Sequence, residues 1–400
     1  MRTEDRANQA IPIISPKATF EELREETEKA VLRVLASGDY ILGEETARFE
    51  KEACEYLGVP HAIGVSSGTE ALLVALQELE VGPGDEVITP CFTFIATATV
   101  VARMGAKPVF ADIDPATYQM EPSAVERALT PRTRAILPVH LYGHPGPLDR
   151  YAEAARQGGR AIPIIEDAAQ AIGSISAAAG MRRKAGTIGD WGCFSFYPTK
   201  NLPACGEAGL LVTSSAERAE RARQLRTHGQ DAPYRHRLLG GNARLDAIQA
   251  AVLRVRLPHV DKWNGQRRSN AALYDRLFEE SGLLTRWEGF HLPPRAWGGE
   301  SGNYHQYTVR VPSSGPGGRA DPVPRDALKA FLAERGIQSG VYYPIPLSLQ
   351  PVFAGLGHGP GDFPHAEAAA KEVLSLPVHH ALRPGDVERV VGAIVDFRGH

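Results

Sequence analysis

Four short segments set side chains capable of chemistry on loops that follow apolar, strand-like runs. Ser195-Phe-Tyr-Pro-Thr-Lys200-Asn201 follows the run GCFSF. A lone lysine is ordinarily a surface solubiliser, but an amine at a strand exit, beside hydroxyls that can bind phosphate, is placed to form a Schiff base. Asp167 ends the apolar run IPIIED, where a carboxylate is costly unless a cation pairs with it. A protonated pyridine nitrogen is one such cation, and a helix N-cap is the other reading of the same residue. Gln170, three positions on, fits either a capping pattern or a contact to a cofactor's ring oxygen. Ser66-Ser67-Gly68-Thr69 is a small-residue turn running into a helix, whose free N–H groups and dipole favour a phosphate, although plain caps have the same composition. Phe92, after EVITP, offers a ring either to a flat heteroaromatic or to the core.

The elements that must position these residues alternate. EVITP, KPVFADID, RAILPVHLYG and IPIIEDAAQ read as strands, separated by helical segments such as EALLVALQELE and LDRYAEAARQ. Several runs are apolar at both parities, as strands covered on both faces require, so an α/β domain with a mainly parallel sheet is expected. After GCFSF and GLLVT, helices are expected at 216–226, 244–256 and 264–280. A Gly- and Pro-rich stretch at 288–303 then precedes the strand HQYTVRV and helices near 325–335 and 365–374, which suggest a smaller C-terminal domain. The division expected is residues 1–260 for a large domain with an N-terminal arm and 261–400 for the smaller one.

The 400 residues, 43% hydrophobic and 23% charged, carry a formal net charge of -3. No basic excess argues for nucleic acid or an anionic membrane. Cys54, Cys91, Cys193 and Cys205 form no CxxC pair, which fits a reducing compartment. The opening MRTEDRANQAIPIISP lacks the apolar core of an export signal, and no stretch approaches the ~20 apolar residues of a membrane span, so a cytoplasmic location is expected. Low complexity is confined to short Ala and Gly clusters near 177–180 and 314–318.

Taken in order, SGTEAL, FTF, EDAAQ, FSFYPTKN, GGNARLDAIQAAVLRVRL, VYYPIPLSLQPVF and LSLPVH resemble the DegT-type family of nucleotide-sugar aminotransferases from about Gly38 to Val378. The resemblance implies a three-layer large domain of the pyridoxal-phosphate fold type I, with a smaller α+β C-terminal domain. It implies pyridoxal 5'-phosphate as cofactor, alternating with pyridoxamine 5'-phosphate. Lys200 would carry it, Asp167 would pair with its ring nitrogen and Gln170 would lie near its 3-hydroxyl. Ser67, Gly68, Thr69 and Ser195 would hold its phosphate, and Phe92 would stack on its ring. Asn242 would reach the cofactor phosphate of a neighbouring subunit, which implies a homodimer with shared sites. Read from the residues alone, GGN before a helical run is only a turn and cap.

The reaction so implied moves an amino group from glutamate or glutamine to a keto group of a nucleotide-linked sugar, with C3 favoured over C4. Tyr40 and Tyr343 are candidates for substrate contacts or for ordinary packing. Arg244 and Arg182 are possible partners of a diphosphate, as abundant surface arginines also are. The chain departs from the family at Ile172 and Ser348, where relatives often have His, and at Ala243, where an aromatic is common; the first two put the usual substrate contacts in doubt. A pyridoxamine-dependent sugar dehydratase would have His at the lysine position, and a regulatory relative would not need Lys200 and Asp167. A nicotinamide enzyme would show GxGxxG after its first strand, which is absent. No metal site is expected, because His379 and His380 are adjacent and point apart; the adjacent Glu166 and Asp167 face opposite sides of a strand and cannot flank one bond.

Overall fold

The computed structural model describes residues 10–157, 161–177, 182–295, 301–312 and 324–399. The first nine residues, the Gly cluster at 314–318 and most of the Ala cluster at 177–180 lie outside that set.

Seven short strands carry the site: β1 His61–Val65, β2 Glu86–Pro90, β3 Lys107–Ala111, β4 Thr133–Ile136, β5 Ile165–Asp167, β6 Trp191–Ser195 and β7 Gly209–Thr213. β2 pairs in parallel with β3 and β4, β5 pairs in parallel with β6, and β7 lies antiparallel between β6 and β1. Parallel bridges Ile136–Ile164 and Val139–Asp167 join β4 to β5. The spatial order is therefore β1-β7-β6-β5-β4-β2-β3, with β7 alone running against the others.

β2 and β7 are buried at all five positions, which explains why Val87-Ile88 and Leu210-Leu211-Val212 are apolar at both parities. Successive residues serve opposite faces: Leu211 packs with Leu72, Leu76 and Trp191, whereas Leu210 and Val212 pack with Phe49, Phe194 and Leu253. Two layers of helix thus enclose the sheet. Helix α1, Gly68–Glu78, is apolar on nearly every side because it lies in one of these layers. It begins on Ser67, whose hydroxyl accepts from Glu70 N–H at 3.1 Å. It stops at Glu78, short of Gly82-Pro83: Glu80 takes a left-handed φ of 56°, and Val81 and Glu80 N–H bond to the carbonyls of Leu76 and Gln77.

Helix α2, Ala96–Arg103, follows β2. Helix α3, Ala247–Arg256, starts three residues later than its sequence pattern suggests, because Asn242 and Arg244 are held in bridges to Thr227 and Val65. Helix α4, Val260–Glu280, links two cores: Val260 packs with Leu253 and Leu257, while Tyr274 and Phe278 pack around β8, Tyr307–Arg310, and β9, Val373–Leu376. β8 and β9 pair antiparallel, and Val387 and Ile394 of helix α5, Pro384–Gly399, cover them. No helix among the described residues is long and apolar enough to cross a membrane.

Candidate active site

Since β1, β2, β5 and β6 point the same way, their carboxyl ends open on one edge of the sheet. A cavity of ≈ 580 Å³ lies there, lined by Ser67, Gly68, Thr69, Asp167, Gln170, Ser195, Lys200 and Tyr343. A more open hollow of ≈ 690 Å³ lies at the amino ends of β4 and β5, but its charges are spent on one another, as in the Arg218–Glu78 and Arg221–Glu80 pairs.

The cradle for an anion is built by close approach. In the sheet register Gly209 of β7 faces both Val65 of β1 and Ser195 of β6. A Cβ on Gly209 would sit 2.3 Å from the Ser67 carbonyl carbon, and one on Gly68 would sit 2.6 Å from Ser195 Cβ. Two glycines therefore bring the N-terminus of α1 against the Ser195 hydroxyl, with the helix dipole directed into the cavity.

Asp167 is only 6% exposed. One carboxylate oxygen accepts from Thr97 Oγ1 of α2 at 2.9 Å and the other from Ala169 N–H at 3.2 Å. Burial nevertheless pushes its pKa up, against the pull of those donors and of the Lys200 charge. Glu166 points away from it, as neighbours on a strand must. It accepts from the N–H groups of Gly186, Ile188 and Gly189, each at 2.6 Å, and lies 2.8 Å from His140 Nε2. Gly146 N–H donates to His140 Nδ1, so the proton of that ring sits on Nε2 and is given to Glu166.

Lys200 follows the turn closed by its own N–H to Tyr197 C=O at 2.8 Å. Desolvation lowers its amine to about 8, with Asp167 opposing the shift. The two groups share the cavity without an ion pair within 4.0 Å, which leaves space between an amine poised to lose its proton and a buried carboxylate short of a cation. Gln170 is fixed from both ends: Oε1 accepts from Tyr142 N–H at 2.6 Å, and Nε2 donates to the Tyr343 hydroxyl at 3.3 Å.

Two residues expected at this site, Phe92 and Tyr40, lie elsewhere, and Asn242, expected at a neighbouring subunit's site, also lies outside this cavity. Phe92 is 1% exposed and packs with Tyr118, Leu347 and Phe353 behind the cavity; the ring in the cavity wall is Phe94, 52% exposed. The chain leaves the sheet after Pro90, so strand alternation does not determine which of the two rings faces inward. Tyr40 is half-exposed outside the cavity; its loop is tied to Asp246 and Ala247, and its hydroxyl donates to Leu35 C=O. Asn242 is exposed on the surface of its own chain and away from this cavity.

The doubt raised by Ile172 and Ser348 has a structural answer: both are buried away from the cavity, Ile172 in the core beside Phe194 and Ser348 accepting from Cys91 Sγ at 3.2 Å. Arg182 and Arg244 do not line it. Residues the sequence reading passed over, among them Thr97, Glu207, His305 and Gln306, reach Asp167 or the cavity only through folding. Among the described residues no group of three or more His, Cys, Asp or Glu could hold a metal ion.

The DegT/DnrJ/EryC1/StrS aminotransferase family matches residues 21–395. The chain is 44% identical over 391 residues to a pleiotropic regulatory protein of Geobacillus stearothermophilus, covering 98% of this chain and 99% of that one. It is 44% identical over 387 residues, 97% of this chain and 96% of the other, to the dTDP-3-amino-3,4,6-trideoxy-alpha-D-glucose transaminase of Streptomyces venezuelae. Among solved structures, S. venezuelae DesV in complex with a ketimine intermediate superposes with a TM-score of 0.89 at 43% identity, covering 98% and 99% of the two chains. The PLP-form of a sugar aminotransferase, Spr1654 from Streptococcus pneumoniae, superposes at 0.86 and 26% identity, over 98% and 99%.

Proposed function

Because this chain belongs to the DegT/DnrJ/EryC1/StrS aminotransferase family, we propose that it transfers an amino group from glutamate or glutamine to the C3 keto group of a nucleotide-linked sugar. The C3 preference follows the 3-amino sugar in the S. venezuelae relative's name; C4 is the alternative. The observation that carries the reading is the shared cavity of Lys200 and Asp167, an amine with a depressed pKa and a buried carboxylate that do not neutralise each other. That pairing also favours catalysis over a purely regulatory role, which the name of the Geobacillus relative would suggest.

Pyridoxal 5'-phosphate, when bound, supplies a ring that accepts the electron pair of the donor's breaking α-C–H bond. Ser67, Gly68, Thr69 and Ser195 would hold its phosphate through α1's free N–H groups and two or more hydroxyls. Asp167, held by Thr97 and Ala169, would keep a proton on the ring nitrogen, which relieves the cost of burying its own charge. Gln170 Nε2 has a second hydrogen beyond the one it gives to the Tyr343 hydroxyl and would turn it to the ring hydroxyl; Phe94 rather than Phe92 would cover the ring. Lys200 Nζ would take the proton from the donor's α-carbon, since a pKa of about 8 leaves a fraction of free base near neutrality.

The exposed Asn242 would complete the phosphate site of a second subunit in a homodimer. The domain boundary would fall at the start of α4, where the core changes from that of Val260 to that of Tyr274. A cytoplasmic location is in keeping with this substrate class.

The direct test is chemical. Purified protein should show a visible absorption band that borohydride abolishes, with the reduced cofactor mapped to Lys200. Lys200→Ala should lack the band and lose at least about a hundredfold in transamination. A Lys200→Ala protein at full rate with 3-keto nucleotide sugars would refute the assignment.

A further inference from the structure

His305 stands 105 residues from Lys200 in sequence, yet it is tied to Lys200's neighbour, Asn201. Its Nδ1 lies 3.0 Å from Asn201 Oδ1. The tautomer of this ring follows from backbone carbonyls, which can only accept. Asn264 Nδ2 donates to Ile172 C=O at 2.9 Å, so Asn264 Oδ1 is the acceptor for Asn201 Nδ2 at 2.8 Å. The same Asn201 Nδ2 also donates to Asn303 C=O at 3.3 Å. With its amide hydrogens turned that way, Asn201 presents only its oxygen to His305, and Nδ1 must carry the proton.

Nε2 is then the lone-pair nitrogen. It has no hydrogen-bond partner among the described residues, and His305 lines the cavity that Lys200 lines. The residue is also held through its main chain: the backbone N–H of His305 donates to Asn303 Oδ1 at 2.9 Å, its backbone C=O accepts from Arg267 Nη1 at 3.2 Å, and its side chain is buried. Burial, reinforced by the positive charges of Lys200 and Arg267 that face it, holds the imidazole well below its usual pKa and therefore neutral.

We propose that His305 is a positioning residue for proton transfer by Lys200. Its Nε2 lone pair accepts a hydrogen bond from the ammonium that forms when Lys200 Nζ takes the donor's α-proton, and so aims that ammonium for the proton's return. With the cofactor bound, its ring would take up the electron pair of the breaking C–H bond while Lys200 Nζ holds the proton; His305 itself would gain and lose nothing. The proposal rests on Lys200 being the cofactor-bearing lysine.

The test uses holoenzyme labelled with ¹⁵N-histidine, the signal of His305 being identified by its loss in His305→Gln. The expected spectrum shows a neutral ring protonated on Nδ1 that does not titrate between about pH 6 and 9. In steady-state kinetics His305→Leu should lower kcat about tenfold, with KM for both substrates within about twofold, and should enlarge the isotope effect of an α-deuterated donor. His305→Gln, which offers an amide oxygen, should recover part of that loss. A proton on Nε2, titration of the ring within that range, or a Leu variant that alters KM while leaving kcat and the isotope effect unchanged would overturn the proposal. If His305→Leu does not fold, the wild-type spectrum decides. Borohydride trapping of the same wild-type sample separates the two readings: failure to label Lys200 sinks the assignment of the lysine, whereas labelling with the wrong tautomer sinks only the role of His305.

Discussion

Burial sets the chemistry of Lys200 before any cofactor arrives. Its ammonium is penalised in the folded chain, where its pKa is about 8, and not in the unfolded chain, where the ordinary value is 10.5. A lysine whose folded pKa is depressed costs stability fully below the folded value. That cost fades as pH rises from about 8 towards 10.5, because only the unfolded chain then still binds the proton. Cofactor-free Lys200→Met should therefore melt at a higher temperature than cofactor-free wild type at pH 7, with the gap closing as the pH is raised through this window. Thermal melts of the two apo proteins across that range check it, and a gap that widens with pH would contradict the buried, strained ammonium.

At the scale of elements the site depends on how closely three strand ends approach. Ser67 ends the loop after β1 and Ser195 ends β6; they meet because β7 between them carries Gly209, against which Ser67 packs with no room for a Cβ. Gly209→Ala should force the N-terminus of α1 outward and weaken cofactor binding by about tenfold or more, while the buried remainder of β7 keeps the sheet intact. Fluorescence titration of apo protein with pyridoxal phosphate, alongside a circular dichroism melt, separates loss of the cradle from loss of the fold. An unchanged affinity would mean that the phosphate is held elsewhere.

The whole molecule raises the question of the second copy. Asn242 does not line the cavity of its own chain, so the role we propose for it at the cofactor phosphate would operate across an interface. Mixing is a sharper test than size alone. When inactive Lys200→Ala and Asn242→Ala subunits exchange, each mixed dimer contains one site with both mutations and one with neither. Equal mixing should restore roughly a quarter of wild-type activity, since about half the dimers are mixed and each has one good site of two. Recovery that never rises above the sum of the separate proteins would place Asn242 in its own subunit's site or outside catalysis. Light scattering should meanwhile report a dimer.

The short-range features of this chain were legible in its residues. Both-parity apolar runs marked the covered strands, and a Ser-Gly turn, an Asp and a Lys marked the loops that follow them, because a strand's exit and a helix's start are decided by a few adjacent residues. Direction in space was not legible. Phe92 and Phe94 are two positions apart beyond the strand's end, and which of them faces the cavity is decided by Leu347 and Phe353, some 250 residues away. Tyr40 could be read as a substrate contact or as ordinary packing, and only the fold places its loop against the start of α3, outside the cavity of its own chain. His305 carried no local signal, since its tautomer is set by Asn201, Asn264 and a carbonyl at Ile172 that meet only when the chain is packed. Sequence determined which groups sit at the strand ends, because backbone propensity acts locally; tertiary structure decided which of them face one another, because that depends on contacts between residues far apart in the chain.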